Sequence, residues 1–248
     1  MTHESDEALA ARLATAAGRI LLDLQAQGGR DGAALGKAGD EAANAMLCRE
    51  LRAARPGDAL LSEEEKDDAA RLSQSRVWIV DPLDGTREYG EGRTDWAVHV
   101  ALAVDGAATV GAVALPGLGL TLTSGDPPPL RPANAPLKML VSRTRPAAEA
   151  VHVAEALGAD LLPMGSAGAK AMAVVRGQAD IYLHSGGQYE WDNCAPAAVA
   201  QAAGLHVSRT DGSPLRYNNA DLYLPDLLIC RPELAAEVLR LAAEYRAS

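Results

Sequence analysis

The sequence predicts an α/β protein in two parts, an α+β half with helices ahead of strands and then a half in which strands and helices alternate. Three observations carry this. Two amphipathic helical patterns precede a series of apolar runs, and those runs are broken by Asp-Gly and Pro-Gly turns. A proline-rich break at 125–136 then introduces alternating strand and helix patterns.

Ser5 reads as an N-cap, Asp6 and Glu7 suit the positive end of a helix, and Leu9, Leu13, Ala17, Ile20, Leu21 and Leu24 recur at helical spacing until Gly28-Gly29. A second helix is predicted over 40–55, with Ala43, Leu47, Leu51 and Ala54 on one face and Pro56-Gly57 stopping it. Asp40 stands at its start as a cap. Ala59-Leu60-Leu61 is a short strand delivering Ser62-Glu63-Glu64-Glu65. Val77-Trp78-Ile79-Val80 is a buried strand that should stop at Pro82, which has no N–H for a ladder, leaving Asp81 at the strand's carboxyl end. Asp84 follows a tight turn, and Gly85-Thr86 opens a short helix. Strands over 96–104, 107–115 and 120–124 are separated by Asp105-Gly106 and Pro116-Gly117 and read as antiparallel.

A domain boundary near 134 divides 1–133 from 134–248. Beyond it, strands are predicted over 137–142, 179–183, 205–208 and 227–230, and helices over 147–157, 169–176 and 233–246. Trp191-Asp192 opens a further, alanine-rich helix that ends at Gly204, where an aspartate is usually a cap.

The composition narrows the function. A chain of 248 residues with 48% hydrophobic content builds a real core. A net charge of −10 argues against nucleic-acid polymers and anionic membranes as partners, since no basic excess exists to neutralise phosphates. An anionic substrate would then need a metal. Cys48, Cys194 and Cys230 are odd in number and widely spaced, which predicts reduced, buried thiols. The acidic start Met1-Thr2-His3-Glu4-Ser5-Asp6-Glu7 is unlike a secretory leader and no apolar run is long enough to span a bilayer, so a cytoplasmic protein is expected.

The chemistry centres on Asp81-Pro82-Leu83-Asp84-Gly85-Thr86. Two carboxylates beside helix-start amides suit a phosphate bridged by hard cations, and Mg²⁺ takes few carboxylates while keeping positions open for water and phosphate oxygens. A strand carrying Glu63 beside the strand over 77–80 would place Glu63 and Asp81 at the same sheet edge. The bland alternatives are solvated aspartates at a strand-end turn, a solvated acidic loop for Glu63, and helix caps for Asp40 and Asp192. His99 and His184 read as structural histidines. Gly165 to Lys170 lacks the spacing of a Walker P-loop.

Together, Ser62-Glu63-Glu64, the stretch from Trp78 to Thr86 and Trp191-Asp192 resemble the three signature motifs of the inositol monophosphatase-like phosphatases, in family order and across most of the chain. Val141-Ser142-Arg143, Gly165-Ser166-Ala167-Gly168-Ala169-Lys170, Trp191-Asp192-Asn193-Cys194-Ala195-Pro196 and Pro214-Leu215-Arg216-Tyr217-Asn218 look most like the CysQ-type branch, which removes the 3′-phosphate of 3′-phosphoadenosine 5′-phosphate in sulfate assimilation. The resemblance implies a layered αβαβα sandwich, Mg²⁺-dependent and Li⁺-inhibited hydrolysis of a small phosphorylated substrate, and a homodimer. It implies metal ligation by Glu63, Asp81, the Leu83 carbonyl, Asp84 and Asp192, with two ions about 3.5–4 Å apart and a third, weaker ion near Glu63. Thr86, held by Asp40, would orient the attacking water with no phosphoenzyme formed. Gly85 and Thr86 amides would hold the phosphate, with Ser166, Arg143 and Lys170 as further substrate contacts, although Lys170 read alone is as readily a solvated helix lysine. Inositol-1-phosphate or fructose-1,6-bisphosphate hydrolysis is the alternative within the family, and a non-catalytic scaffold the alternative outside it.

Overall fold

The computed structural model describes residues 4–247. Positions 1–3 of the acidic start therefore lie outside the described residues. Helix α1 (Asp6–Gln27) begins as expected, with the Ser5 hydroxyl accepting from the Ala8 amide at 3.2 Å. Helix α2 (Gly32–Ala54) starts well before the predicted 40, so Asp40 is an interior helix residue and not a cap. Glycine lowers helix propensity by about 1 kcal/mol against alanine, which hid this first part of the helix. Packing reverses that preference. A Cβ on Gly36 would lie 2.6 Å from Thr86 Cγ2, and one on Gly39 2.9 Å from Leu21 Cδ2, so the bare positions let α2 lie close to its neighbours.

The first sheet has the order β1-β2-β3-β4-β5. Strand β1 (Ala59–Ser62) runs parallel to β2 (Arg76–Asp84), with Ser62 beside Val80, and β3 (Ala97–Val104), β4 (Ala107–Leu115) and β5 (Leu120–Thr123) continue as antiparallel neighbours. Strand β2 does not stop at Pro82. Its pairing to β3 shifts between Asp81, opposite His99, and Asp84, opposite Ala97, which is a one-residue bulge. Pro82 fits because β1 has already ended opposite Val80, so no partner on that side asks for the missing N–H. Helix α3 (Thr86–Gly90) follows immediately after Gly85, whose φ of 90° is left-handed.

Side chains alternate across this sheet with period two. Trp78, Val80, Val98, Val100 and Leu102 join the core beneath α1 and α2, while Val77, Ile79, Ala97, Ala101 and Ala103 face the other way. The registered pair Asp81 and His99 shares the second parity, which aims it at the middle of the molecule.

The second half contains β6 (Lys138–Ser142), α4 (Ala148–Leu157), β7 (Asp160–Met164), α5 (Ala167–Val175), β8 (Ile181–Tyr189), α6 (Glu190–Ala202), β9 (His206–Ser208), β10 (Tyr223–Cys230) and α7 (Ala235–Ala247). Its sheet has the order β7-β6-β8-β10-β9, with β6 parallel to β7 and β8, and β10 antiparallel to β8 and β9. Strand β7 has no counterpart in the sequence reading. It is a mostly exposed edge strand carrying Pro163, a placement that weakens both the apolar pattern and the objection to proline.

Helices α5 and α6 fill the space between the sheets, α6 lying on β2, β3 and β4 and also reaching β8, β9 and β10. Helices α4 and α7 cover the outer face of the second sheet. The αβαβα layering follows. The central core mixes residues of both halves, among them Ile79, Val113, Met172, Val199 and Ile229. Cys48, Cys194 and Cys230 are buried free thiols, as expected.

Candidate active site

Asp81, Asp84 and Asp192 each offer a carboxylate oxygen within 4.8 Å of the others. Asp81 and Asp84 flank the bulge in β2, and Asp192 comes from the first turn of α6. Asp192 Oδ2 accepts the Tyr189 amide at 2.6 Å, so the residue caps its helix and still serves the cluster. Trp191 stacks on Tyr189, with ring centroids 4.9 Å apart and planes at 14°.

The cluster is electrostatically divided. Burial pushes Asp81 well above the usual aspartate range, and the charges of Glu63, Asp84 and Asp192 push it further. Burial and the Asp84 charge lift Asp192 to about 6, against the lowering effect of the Tyr189 amide. Asp84 goes the other way. Burial opposes its ionisation, but His99, the Ser166 hydroxyl and the Gly168 amide outweigh it and hold Asp84 at about 2. The donors are close: Ser166 Oγ at 2.5 Å and the Gly168 amide at 2.6 Å reach Oδ2, and the Ala167 amide at 3.1 Å reaches Oδ1. Asp84 therefore sits at the N-terminus of α5, where the helix dipole favours its charge.

His99 is the residue whose importance the sequence reading understated. It is almost completely buried, donates from Nδ1 to the Trp191 carbonyl at 2.9 Å, and places Nε2 3.2 Å from Asp84 Oδ2, too far off line to be a good hydrogen bond. It is structural, as expected, but it braces two sides of the acidic cluster. The available signal was the alternation of β3, which puts residue 99 on the same face as Asp81. Gly168 makes room for the ring, since a Cβ there would fall 2.0 Å from Nε2. Gly168→Ala should lower stability by about 1–3 kcal/mol through overpacking, read as a fall in Tm. A Tm equal to the parent's would mean that the ring yields freely.

Glu63 lies just beyond β1, its amide donating to the Val80 carbonyl at 3.3 Å, which sets it level with Asp81 as parallel pairing requires. The residue keeps exposed atoms, but its carboxyl faces the cluster. Desolvation lifts it to about 7, against a lowering hydrogen bond from Asp81, and the charges of Asp192, Glu64 and Asp84 add to the rise. Leu83 is buried, its amide bonded to Asp81 Oδ1 at 3.0 Å and its carbonyl accepting the Thr86 hydroxyl at 3.1 Å. The Thr86 hydroxyl thus bonds Leu83, and no hydrogen bond joins it to Asp40 among the described residues. Asp40 remains near, one turn beyond Gly36, which packs on Thr86. Burial, then the charges of Glu64, Glu63 and Glu41, raise Asp40 to about 7.

The residues expected to touch substrate divide. Ser166 is buried at the N-cap of α5 with φ of 31°, an uncommon conformation for a residue with a Cβ. Lys170 is not a solvated helix lysine. It is 5% exposed, and Nζ donates to the Gly165 and Ser166 carbonyls at 2.6 and 2.7 Å, holding the strained Ser166 backbone. Arg143 Nη2 donates to Glu88 at 2.8 Å and Glu91 at 2.9 Å, while its buried Nε has no partner among the described residues. Arg143, Ser166 and Lys170 share a cavity of about 230 Å³ with Arg87, Ser142 and Arg145.

Buried carboxylates that resist joint ionisation, offering only hard oxygen donors, fit a divalent cation. No described helix is long and apolar enough to cross a membrane.

Comparison with known proteins agrees with this chemistry. The chain is 50% identical to a 3′-phosphoadenosine 5′-phosphate phosphatase of Mycobacterium leprae (strain TN), covering 97% of this chain and 94% of that one. It is 31% identical to the 3′(2′),5′-bisphosphate nucleotidase CysQ of Escherichia coli (strain K12), covering 75% of this chain and 81% of the relative. Its fold superposes on the crystal structure of CysQ from Bacteroides thetaiotaomicron with a TM-score of 0.80, at 24% identity over 93% of this chain and 98% of that one. The family model for inositol monophosphatases matches residues 4–246, and the chain belongs to the inositol monophosphatase family.

Proposed function

We propose that the chain is a Mg²⁺-dependent phosphatase that removes the 3′-phosphate of 3′-phosphoadenosine 5′-phosphate, and of its 5′-phosphosulfate analogue, in sulfate assimilation. The observation that carries the substrate is the full-length identity to a relative of that name, because an acidic metal cluster alone serves many phosphomonoesters. The family is metal-dependent, typically on Mg²⁺. Asp81, Asp84 and Asp192, with Glu63 and the Leu83 carbonyl beside them, would hold two or three ions. Bound there, Mg²⁺ supplies Lewis-acid neutralisation of phosphate charge and lowers the pKa of water.

The chain's own residues do the rest. Gly85 and Thr86 amides, at the start of α3, take phosphate oxygens. Asp40 at about 7 is matched to accepting a proton near neutral pH, with the Thr86 hydroxyl orienting the water that loses it. Glu63 would hold the water-activating cation from the facing side. Ser166 and Lys170 keep Asp84 and the cavity wall in place, and Arg143 with its neighbours reads the second anionic group of the substrate. The enzyme would be cytoplasmic and homodimeric, with a unit over 1–133 supplying most ligands and one over 134–248 supplying Asp192 and substrate selection. The position of one sheet on each side of residue 134 supports that division.

The deciding experiment is phosphate release at matched concentrations from 3′-phosphoadenosine 5′-phosphate, inositol-1-phosphate and fructose-1,6-bisphosphate, with Mg²⁺ and with added Li⁺. A lithium-sensitive preference for the nucleotide is expected, and a sugar-phosphate preference would overturn the substrate. Arg143→Ala should raise KM for the nucleotide by about tenfold, the worth of one charge-assisted hydrogen bond at 1.4 kcal/mol per decade, and leave KM for inositol-1-phosphate nearly unchanged. Equal losses on both would remove Arg143 from second-anion recognition.

A further inference from the structure

The segment Pro214-Leu215-Arg216-Tyr217-Asn218 plays no part in the chemistry above, yet it is held from two sides. It belongs to the irregular connection between β9 and β10. Toward the middle layer it grips the first turn of α6. Tyr217, 3% exposed, donates its hydroxyl to Asn193 Oδ1 at 2.9 Å. The Asn218 amide donates to Glu190 Oε2 at 2.7 Å, and Asn219 donates to Glu190 Oε1 from both its amide and its side chain at 2.8 Å. Glu190 and Asn193 are fully buried and bracket Asp192 in the sequence.

Toward the first sheet the same segment grips the acidic loop. Arg71 Nη1 donates to Asn218 Oδ1 at 2.8 Å, Arg71 Nη2 donates to the Asn219 carbonyl at 2.9 Å, and Asn218 Nδ2 returns a bond to the Arg71 carbonyl at 3.0 Å. Asn218 also reaches the Gln74 carbonyl at 3.3 Å. Arg71, 2% exposed, forks the Asp67 carboxylate at 2.6 and 2.9 Å. Arg71, Asp67 and Gln74 lie on the loop that leaves β1 through Glu63 and returns the chain to β2. Asn218 adopts a φ of 62°, a left-handed conformation that asparagine tolerates better than most residues with a Cβ.

These contacts matter because Glu63 and Asp192 reach the cluster from separate supports. Glu63 hangs beyond the edge strand of the first sheet, and Asp192 rides a helix of the middle layer. No strand pairing links the two. Among the described residues the hydrogen bonds between buried Glu190 and buried Arg71 run through Asn218 and Asn219, and the two charges also attract directly, so the network has few ways to relax without leaving a buried group unpaired. We propose that Arg71, Asn218 and Glu190 are positioning residues that fix the Glu63 loop relative to Asp192 and thereby set the affinity for the divalent cation. This rests on the reading that Glu63 and Asp192 serve one metal cluster.

Asn218→Gly tests it, since glycine keeps the left-handed backbone and the amide bonded to Glu190 while deleting the side-chain bonds to Arg71 and Gln74, leaving Arg71 only its bond to the Asn219 carbonyl on this segment. Mg²⁺ binding to metal-free protein is measured by calorimetry for the parent, Asn218→Gly and Asp192→Asn. Supporting partners behind metal ligands are typically worth 10–100-fold in affinity, so the Kd of Asn218→Gly should rise by about tenfold. The Mg²⁺ concentration for half-maximal activity should rise alongside it while kcat at saturating Mg²⁺ stays close to the parent's, and hydrogen exchange over 63–75 should quicken. A variant with lowered Tm but parental Mg²⁺ affinity overturns the proposal in favour of a merely structural clamp. Arg71→Lys, which keeps the charge but loses the fork, provides the same comparison if Asn218→Gly does not fold. Absence of Asp192-dependent Mg²⁺ binding in the parent itself would instead remove the metal reading and the proposal with it.

Discussion

Asp81→Asn should reduce kcat/KM by roughly 10³-fold or more and at the same time raise the Tm of the metal-free protein at pH 8. The two effects have one cause. Asp81 is buried, stands between Glu63, Asp84 and Asp192, and has its ionisation opposed by burial and by all three neighbours. Neutralising it removes an anionic donor from the cation site, and several kcal/mol of charge stabilisation at 1.36 kcal/mol per decade gives the stated loss. The same change relieves the cluster of a charge that the metal-free fold holds at a cost. Asparagine conserves the shape and can still accept the Leu83 amide that Asp81 Oδ1 holds at 3.0 Å. Phosphate-release kinetics and thermal unfolding in a chelator check both halves. Full activity would remove Asp81 from the chemistry. Loss of activity together with a lowered Tm would make it a structural residue whose hydrogen bonds outweigh its repulsion.

The cluster was legible in the sequence because strands with apolar runs end abruptly in carboxylates, and parallel pairing of β1 with β2 then leaves Glu63 and Asp81 level. Period-two alternation carried the core equally well, sending Trp78 and Val80 to one layer and Val77 and Ile79 to the other. What failed was local chemistry overruled by packing at a distance. The glycines of α2 imitate a loop until Thr86 and Leu21 are seen to need the space, which is why Asp40 reads as a cap in the sequence and as an interior helix residue in the fold. Pro82 should end a strand, and does not, because its neighbour has already ended. Strand β7 shows only a short apolar run, broken by Pro163, because it is an exposed edge. Lys170 reads equally as a phosphate contact or a solvated helix lysine because the sequence does not show that the Gly165 and Ser166 carbonyls capture it, which they do once Ser166 adopts its left-handed turn at the head of α5. Its part in supporting the cavity wall is our proposal, as is the reading of the second anion by Arg143.

The metal-free protein should become less stable as pH rises from about 4 to 7, the reverse of ordinary acid denaturation, and Mg²⁺ should cancel the trend. Asp40 and Glu63 lie at about 7 and Asp192 at about 6 in the fold, each lifted first by burial, against 3.8 for aspartate and 4.5 for glutamate in an unstructured chain. Between those limits the unfolded chain has released protons that the folded chain retains. The folded state therefore binds more protons, and linkage makes stability fall with rising pH across that window, with Asp81 and His99, both raised, carrying the fall further. Asp84 has the opposite sign, since its folded value near 2 gives stability present above 3.8 and lost as pH falls through 2. Carboxylates held low, such as Asp95 and Asp226, act in that same acid range, while His184 and His206, lowered by burial from 6.5, gain stability as pH rises and offset part of the fall. With Glu63 discounted for its exposed atoms, the swing is on the order of a few kcal/mol, or about 5 °C and upward in Tm for a chain of this size. Divalent cations bind the ionised set and compete with its protons, so millimolar Mg²⁺ should raise Tm far more at pH 8 than at pH 5.5. Thermal unfolding at both pH values with chelator and with Mg²⁺ measures it directly. An equal Mg²⁺ increment at the two pH values would show that the cation binds where no proton is displaced, and would separate the acidic cluster from the metal it is assigned.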